Sequence, residues 1–153
     1  MALGMVNSIV SGRKRLYRIS KDFEFSAAHH LEGLPPEHQC ARVHGHNYTV
    51  RLILEADVLN EVGFVRDYGE LDQFKDWLKL SFDHRDINDT VGFVGNPTAE
   101  NLAHAIYEVA ATLYPELAGV GVSETSKTWA YFYPGVVSMA GPPDEELEAE
   151  GRK

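Results

Sequence analysis

The chain has 153 residues, a net charge of −9 and 44% hydrophobic residues, which suits one globular domain with a buried core. The acidic balance argues against a nucleic-acid surface, and no apolar run approaches the roughly 18 residues needed to span a membrane. The lone cysteine, Cys40, excludes an internal disulfide and suits a reducing compartment, so a cytoplasmic location is expected.

Residues 1–14 carry no clear pattern and no apolar core long enough for a secretory signal; they read as a loose leader. A single domain is expected over 15–140. Tyr17, Ile19, Phe23, Phe25, Ala27 and His29 alternate with more polar neighbours, a strand signature. His46, Tyr48, Val50, Leu52 and Leu54 repeat that period in a second strand. From about Gly69 to Phe82, Leu71, Phe74 and Leu78 fall at helical spacing. Thr98 is placed to cap a second helix whose apolar stripe is Leu102, Ile106, Val109 and Leu113, with Pro115 ending it. Two strands follow: one with Val120, Val122 and Glu124 on a shared face, then the aromatic-rich Trp129 to Tyr133. From Gly141 to Lys153 the chain is acidic and opens on Gly-Pro-Pro, which reads as a disordered, solvated tail.

The order β-β-α-α-β-β predicts an α+β domain: a four-stranded antiparallel sheet with two helices on one face. The other face is then uncovered within one chain. Burying it against further copies is the simplest solution, so a homo-oligomer is expected.

The chemistry concentrates in Cys40-Ala-Arg-Val-His44-Gly-His46. Histidines at i and i+2 share a face only on extended backbone. If the loop from Leu31 to Cys40 folds back, His29 joins them, and three imidazoles with an open position form a catalytic zinc pattern. His30 and His38 are competing ligands. Cys40 is either a buried small hydrophobe or a reactive thiolate favoured by nearby cations. Asp83 beside His84 can set the tautomer of that imidazole, or both can be a solvated charged loop. Glu124, on an apolar face, suits a planar heterocycle that offers an amino group and a ring N–H; an exposed strand end is the plainer alternative.

Taken in order, Phe23-Glu-Phe-Ser-Ala-Ala-His29, Cys40-x3-His44-Gly-His46-Asn47, Asp83-His84-x3-Asn88-Asp89, Asn96-Pro97-Thr98-x-Glu100 and Ser123-Glu124-Thr125 resemble the 6-pyruvoyl-tetrahydropterin synthase superfamily. The resemblance covers about residues 17–134. It implies the tunnelling fold, in which trimers close their sheets into a barrel and stack as hexamers with active sites between subunits. It implies Zn2+ on His29, His44 and His46, a catalytic group of Cys40, Asp83 and His84, and substrate binding by Glu124 and Thr98. The three-residue gap after Cys40 resembles the bacterial 6-carboxy-tetrahydropterin synthase branch, which feeds queuosine-type 7-deazapurines. The implied substrate is 7,8-dihydroneopterin triphosphate, and the implied reaction is a lyase reaction yielding 6-carboxy-tetrahydropterin, acetaldehyde and triphosphate. Ser126-Lys127 departs from the residues common after Glu124, and Lys127 is one candidate for meeting phosphate. Two alternatives stay open: the pyruvoyl reaction on the same substrate, and a non-catalytic zinc protein with Cys40 as fourth ligand.

Overall fold

The computed structural model describes residues 16–90 and 92–135. The expected leader, the acidic tail and the C-terminal edge of the expected domain lie outside the described residues.

Two long strands, β1 (Tyr17–His29) and β2 (His44–Ala56), form an unbroken antiparallel ladder from Tyr17 opposite Ala56 to His29 opposite His44. After helix α1 (Asp72–Phe82), β3 (Arg85–Asp86) pairs parallel to β1 at Ala27 and Ala28. Helix α2 (Ala99–Leu113) then leads into β4 (Leu117–Thr125) and β5 (Thr128–Phe132). The sheet runs β3-β1-β2-β4-β5. The four strands read from the sequence are therefore joined by a fifth, and the sheet is mixed at that edge. Two residues are too few to show an alternating pattern, so only the ladder reveals β3.

Strand alternation puts Phe23, Phe25, Tyr48, Val50, Leu52 and Val122 on one face, and both helices cover it. Phe74, Leu78 and Phe82 line the buried stripe of α1, with Leu71 buried just before it, and Leu102, Ala103, Ile106 and Ala110 line that of α2. The Thr98 hydroxyl caps α2 by accepting from the Asn101 N–H at 3.3 Å. Tyr114, immediately before Pro115, is extended (φ −131°, ψ 100°), as the proline ring requires, so the helix stops there. Among the described residues no helix is long and apolar enough to cross a membrane.

The opposite sheet face carries no helix among the described residues, as the sequence led us to expect. Arg51 forms two 2.8 Å hydrogen bonds to Asp22 and lies 4.4 Å above the Trp129 ring. Trp129, Tyr131 and Tyr133 stack in a row at 5.7 and 6.1 Å. The row fits because β4 offers glycine beneath it. A methyl group at Gly121 would lie 2.6 Å from the Tyr131 ring and 3.2 Å from Trp129. Gly121→Ala is therefore expected to cost about 1–3 kcal/mol through overpacking. Urea denaturation measures it, and an unchanged midpoint would show that the rings yield freely.

Candidate active site

His29 closes β1 and His44 opens β2, and the ladder sets them directly opposite each other. His46, two residues along, shares their face and opposes Ala27. The three ring centroids lie 4.5–5.1 Å apart, and one nitrogen from each ring falls within 4.8 Å of the others. Backbone carbonyls select the tautomers. His29 Nδ1 sits 2.8 Å from the Pro97 carbonyl, and His44 Nδ1 2.7 Å from that of Arg42. A carbonyl only accepts, so each Nδ1 carries the proton and each Nε2 presents a lone pair. Those two Nε2 atoms face each other at 3.0 Å, and the buried His46 Nε2 has no protein partner.

Such converging acceptors are unfavourable unless a cation fills the space between them. Burial, the largest influence, pushes the His46 pKa below its ordinary value; the charge of Glu124 opposes this, and His29 and His44 add to it. The ring is therefore neutral at pH 7, the form that binds metal. Three imidazoles, two of them with the second nitrogen anchored on a carbonyl, suit zinc, with a fourth position left for a ligand.

That position opens on a cavity of about 790 Å³, lined among others by Cys40, Thr98 and Glu124. The loop after β1 folds back as expected, with the Leu31 N–H donating to the Cys40 carbonyl at 2.8 Å. Cys40 lies on a short turn (Gln39–Ala41) that His38 opens by accepting from the Cys40 N–H at 3.1 Å. His38 thus serves the turn, and His30 is not in the cluster either. The Cys40 thiol shares the cavity but is not one of the clustered ligand atoms. The closed site of three histidines and one cysteine is not formed. Glu124 Oε1 lies 3.9 Å from His29 Nε2, and its side chain is partly exposed.

Asp83 and His84 stand elsewhere. Asp83 accepts from the Ser26 N–H at 2.9 Å and lies 3.1 Å from His84 Nδ1, while the His84 N–H donates to the Ser26 carbonyl at 2.6 Å. The Ser26 N–H is the main cause of an Asp83 pKa below its ordinary value, and His84 adds to it. His84 holds φ at +57°, costly for a residue with a β-carbon, with its side chain 82% exposed. It borders a shallow recess with Ser26, Ala28 and Asn47, and the pair does not line the three-histidine cavity. Within one chain, Cys40 and Asp83–His84 are not brought together.

In the sequence Asn88, Asn96 and Glu100 stand out only as parts of motifs. The structure gives the asparagines a task. The Asn88 side chain exchanges two hydrogen bonds with the backbone of His30 (2.9 and 3.0 Å), and Asn96 does the same with Glu32 (2.7 and 2.9 Å). These amides stand in for a neighbouring strand and hold the chain straight past His29. Glu100 lines the cavity beside Thr98. A side-chain amide that replaces a strand leaves no periodic trace in sequence, so no pattern could have found it.

The model of the 6-pyruvoyl tetrahydropterin synthase family matches residues 18–134. The chain belongs to that family. It is 33% identical over 131 residues to 6-carboxy-5,6,7,8-tetrahydropterin synthase of Bacillus subtilis, covering 77% of this chain and 86% of the relative. The protein of that name from Rickettsia felis is 28% identical, covering 58% of this chain and 75% of the relative. Among solved structures, 6-pyruvoyl tetrahydropterin synthase of Caenorhabditis elegans superposes with a TM-score of 0.71 at 26% identity, covering 81% of this chain and 99% of that one. The family reading and, for the single chain, the tunnelling fold expected from the sequence are thus established, and the names of the relatives support its 6-carboxy branch. The family is one of pterin synthases, so the chain is an enzyme of that kind.

The cluster predicts that His44→Ala takes up added zinc at least roughly 10–100-fold more weakly, the loss that removing even an outer-shell partner brings. Metal analysis after dialysis checks this, and unchanged zinc would remove His44 from the site. Added zinc should also bind more weakly as pH falls, because protons compete for the same nitrogens, and repeating the metal analysis at lower pH checks it.

Proposed function

We propose that this protein is a zinc-dependent 6-carboxy-5,6,7,8-tetrahydropterin synthase. It converts 7,8-dihydroneopterin triphosphate and water to 6-carboxy-tetrahydropterin, acetaldehyde and triphosphate, in the cytoplasm, for queuosine-type 7-deazapurine biosynthesis. The carrying observation is one cavity that holds a three-nitrogen cluster, an unligated thiol and a carboxylate. The 6-carboxy name of its relatives and the three-residue gap after Cys40 support this product over the pyruvoyl one.

In this reading Glu124 and Thr98 bind the substrate, with the Glu124 carboxylate accepting from the pterin amino group and ring N–H and so orienting the ring. Zinc on the Nε2 atoms of His29, His44 and His46 would supply Lewis acidity that lowers the pKa of side-chain hydroxyls placed beside it. Cys40, as thiolate, takes the proton from the side-chain carbon next to the ring. His84 moves protons at the hydroxyls through Nε2. Asp83 is held ionised by the Ser26 N–H, so it fixes Nδ1 as the protonated nitrogen.

The separation of Asp83–His84 from the cavity of its own chain supports delivery of the pair by a neighbouring copy. That fits a homohexamer built as a dimer of trimers, with active sites between subunits. The strained backbone of His84 supports a functional reason for its position.

Mass analysis of the product from dihydroneopterin triphosphate tests the reaction. The carboxy product is expected; a pyruvoyl product would move the protein to the other branch, and no turnover by zinc-loaded protein would end the proposal. Cys40→Ala should keep its zinc and lose about 10²–10⁴-fold in kcat. Full activity in that variant would strip the thiol of its role.

A further inference from the structure

Carboxylates outnumber lysines and arginines here by 23 to 14, so an arginine without an acidic partner is conspicuous. Arg18 pairs with Glu55, Arg51 with Asp22, and Arg66 with Glu70 and Glu116. Among the described residues, Arg42 and Arg85 have no such partner. Arg85 lies outside the three-histidine cavity, whereas Arg42 lines it. Glu100 and Glu124 are the carboxylates of that lining, and Arg42 is the only lysine or arginine in it among the described residues.

The Arg42 backbone is pinned. Its carbonyl holds His44 Nδ1 at 2.7 Å, and its N–H closes the turn that carries Cys40. The side chain is exposed and therefore stands at the mouth. Zinc at the histidine cluster would offset the two carboxylates, but a phosphate chain reaching past the cluster to the mouth needs a cation of its own there. A guanidinium presents a planar fork of donors that matches phosphate oxygens, and this one has no carboxylate competing for it. Lys127, raised by the sequence as a phosphate ligand, is not in the lining.

We infer that Arg42 is the phosphate-binding residue of this site and sets its preference for a triphosphorylated pterin over an unphosphorylated one. The inference rests on the proposed substrate. It places the heterocycle at Glu124, the carbon side chain across the histidine cluster and Cys40, and the phosphate chain at Arg42.

Calorimetric titration of inorganic triphosphate into zinc-loaded, full-length protein tests it. Arg42→Gln should bind triphosphate about 10–100-fold more weakly than wild type. Arg42→Lys should recover part of that loss. Lys75→Gln, which removes the same charge from the exposed side of α1, should match wild type. All variants should hold equal zinc, because His44 contacts the Arg42 backbone and not its side chain. Unphosphorylated 7,8-dihydroneopterin should bind wild type and Arg42→Gln alike. Equal triphosphate affinity in wild type and Arg42→Gln, an equal loss in Lys75→Gln, or no triphosphate binding by wild type would each overturn the inference. Failure of the proposed reaction shows separately, as absence of the carboxy product from wild type.

Discussion

The pairing of β1 with β2 is the constraint on which the rest depends. Thirteen residues of each strand meet without a bulge, and the last pair of that ladder is His29 with His44. Side chains alternate with a period of two, so a slip of one residue would send the histidines to the opposite face and expose Phe23, Phe25, Tyr48 and Val50. Burial of that apolar face under α1 and α2 is far too costly to forgo. The core therefore holds the register, and the register builds the nitrogen cluster. The cluster needs no dedicated scaffold, because His29 and His44 are the last rung of the hydrophobic face and His46 follows on the same side.

Around that rung, main-chain groups finish the geometry. Carbonyls of Pro97 and Arg42 turn two imidazoles so that their lone pairs converge, and each carbonyl comes from a loop that also lines the cavity. Asn88 and Asn96 stiffen the chain beyond β1 by replacing absent strand partners. A cation entering the cluster would offset the cost of its facing nitrogens and so would tie metal binding to the stability of this corner of the fold. Tyr48, buried one step deeper on β2, packs its ring edge-on against His29 and His46 and marks where the polar site meets the core.

The two sheet faces divide the labour. The helix-covered face ends in the cluster and cavity. The other carries Arg51 on Asp22 and Trp129, the tyrosine row over glycines, and the recess beside His84. A short parallel strand, β3, fastens the Asp83–His84 corner to the edge of β1, so that corner is held on the sheet although nothing in its own chain's cavity uses it.

Much of this was legible from local patterns. Alternation placed both long strands, helical spacing placed both helices, and the His-Gly-His pair announced a shared face, because each depends only on the period of the backbone. The sequence also carried the ordered motifs that marked the family. It left the third ligand ambiguous among His29, His30 and His38. Tertiary structure groups His29 with His44 and His46, because the ladder register sets it opposite His44 while His38 is spent on the turn of Cys40. Tertiary structure alone showed β3, the asparagine clamps, the thiol standing apart from the cluster, and the distance between Asp83–His84 and the cavity. These are relations between residues remote in the chain, set by packing and hydrogen-bond satisfaction, and no periodicity in a single sequence encodes them.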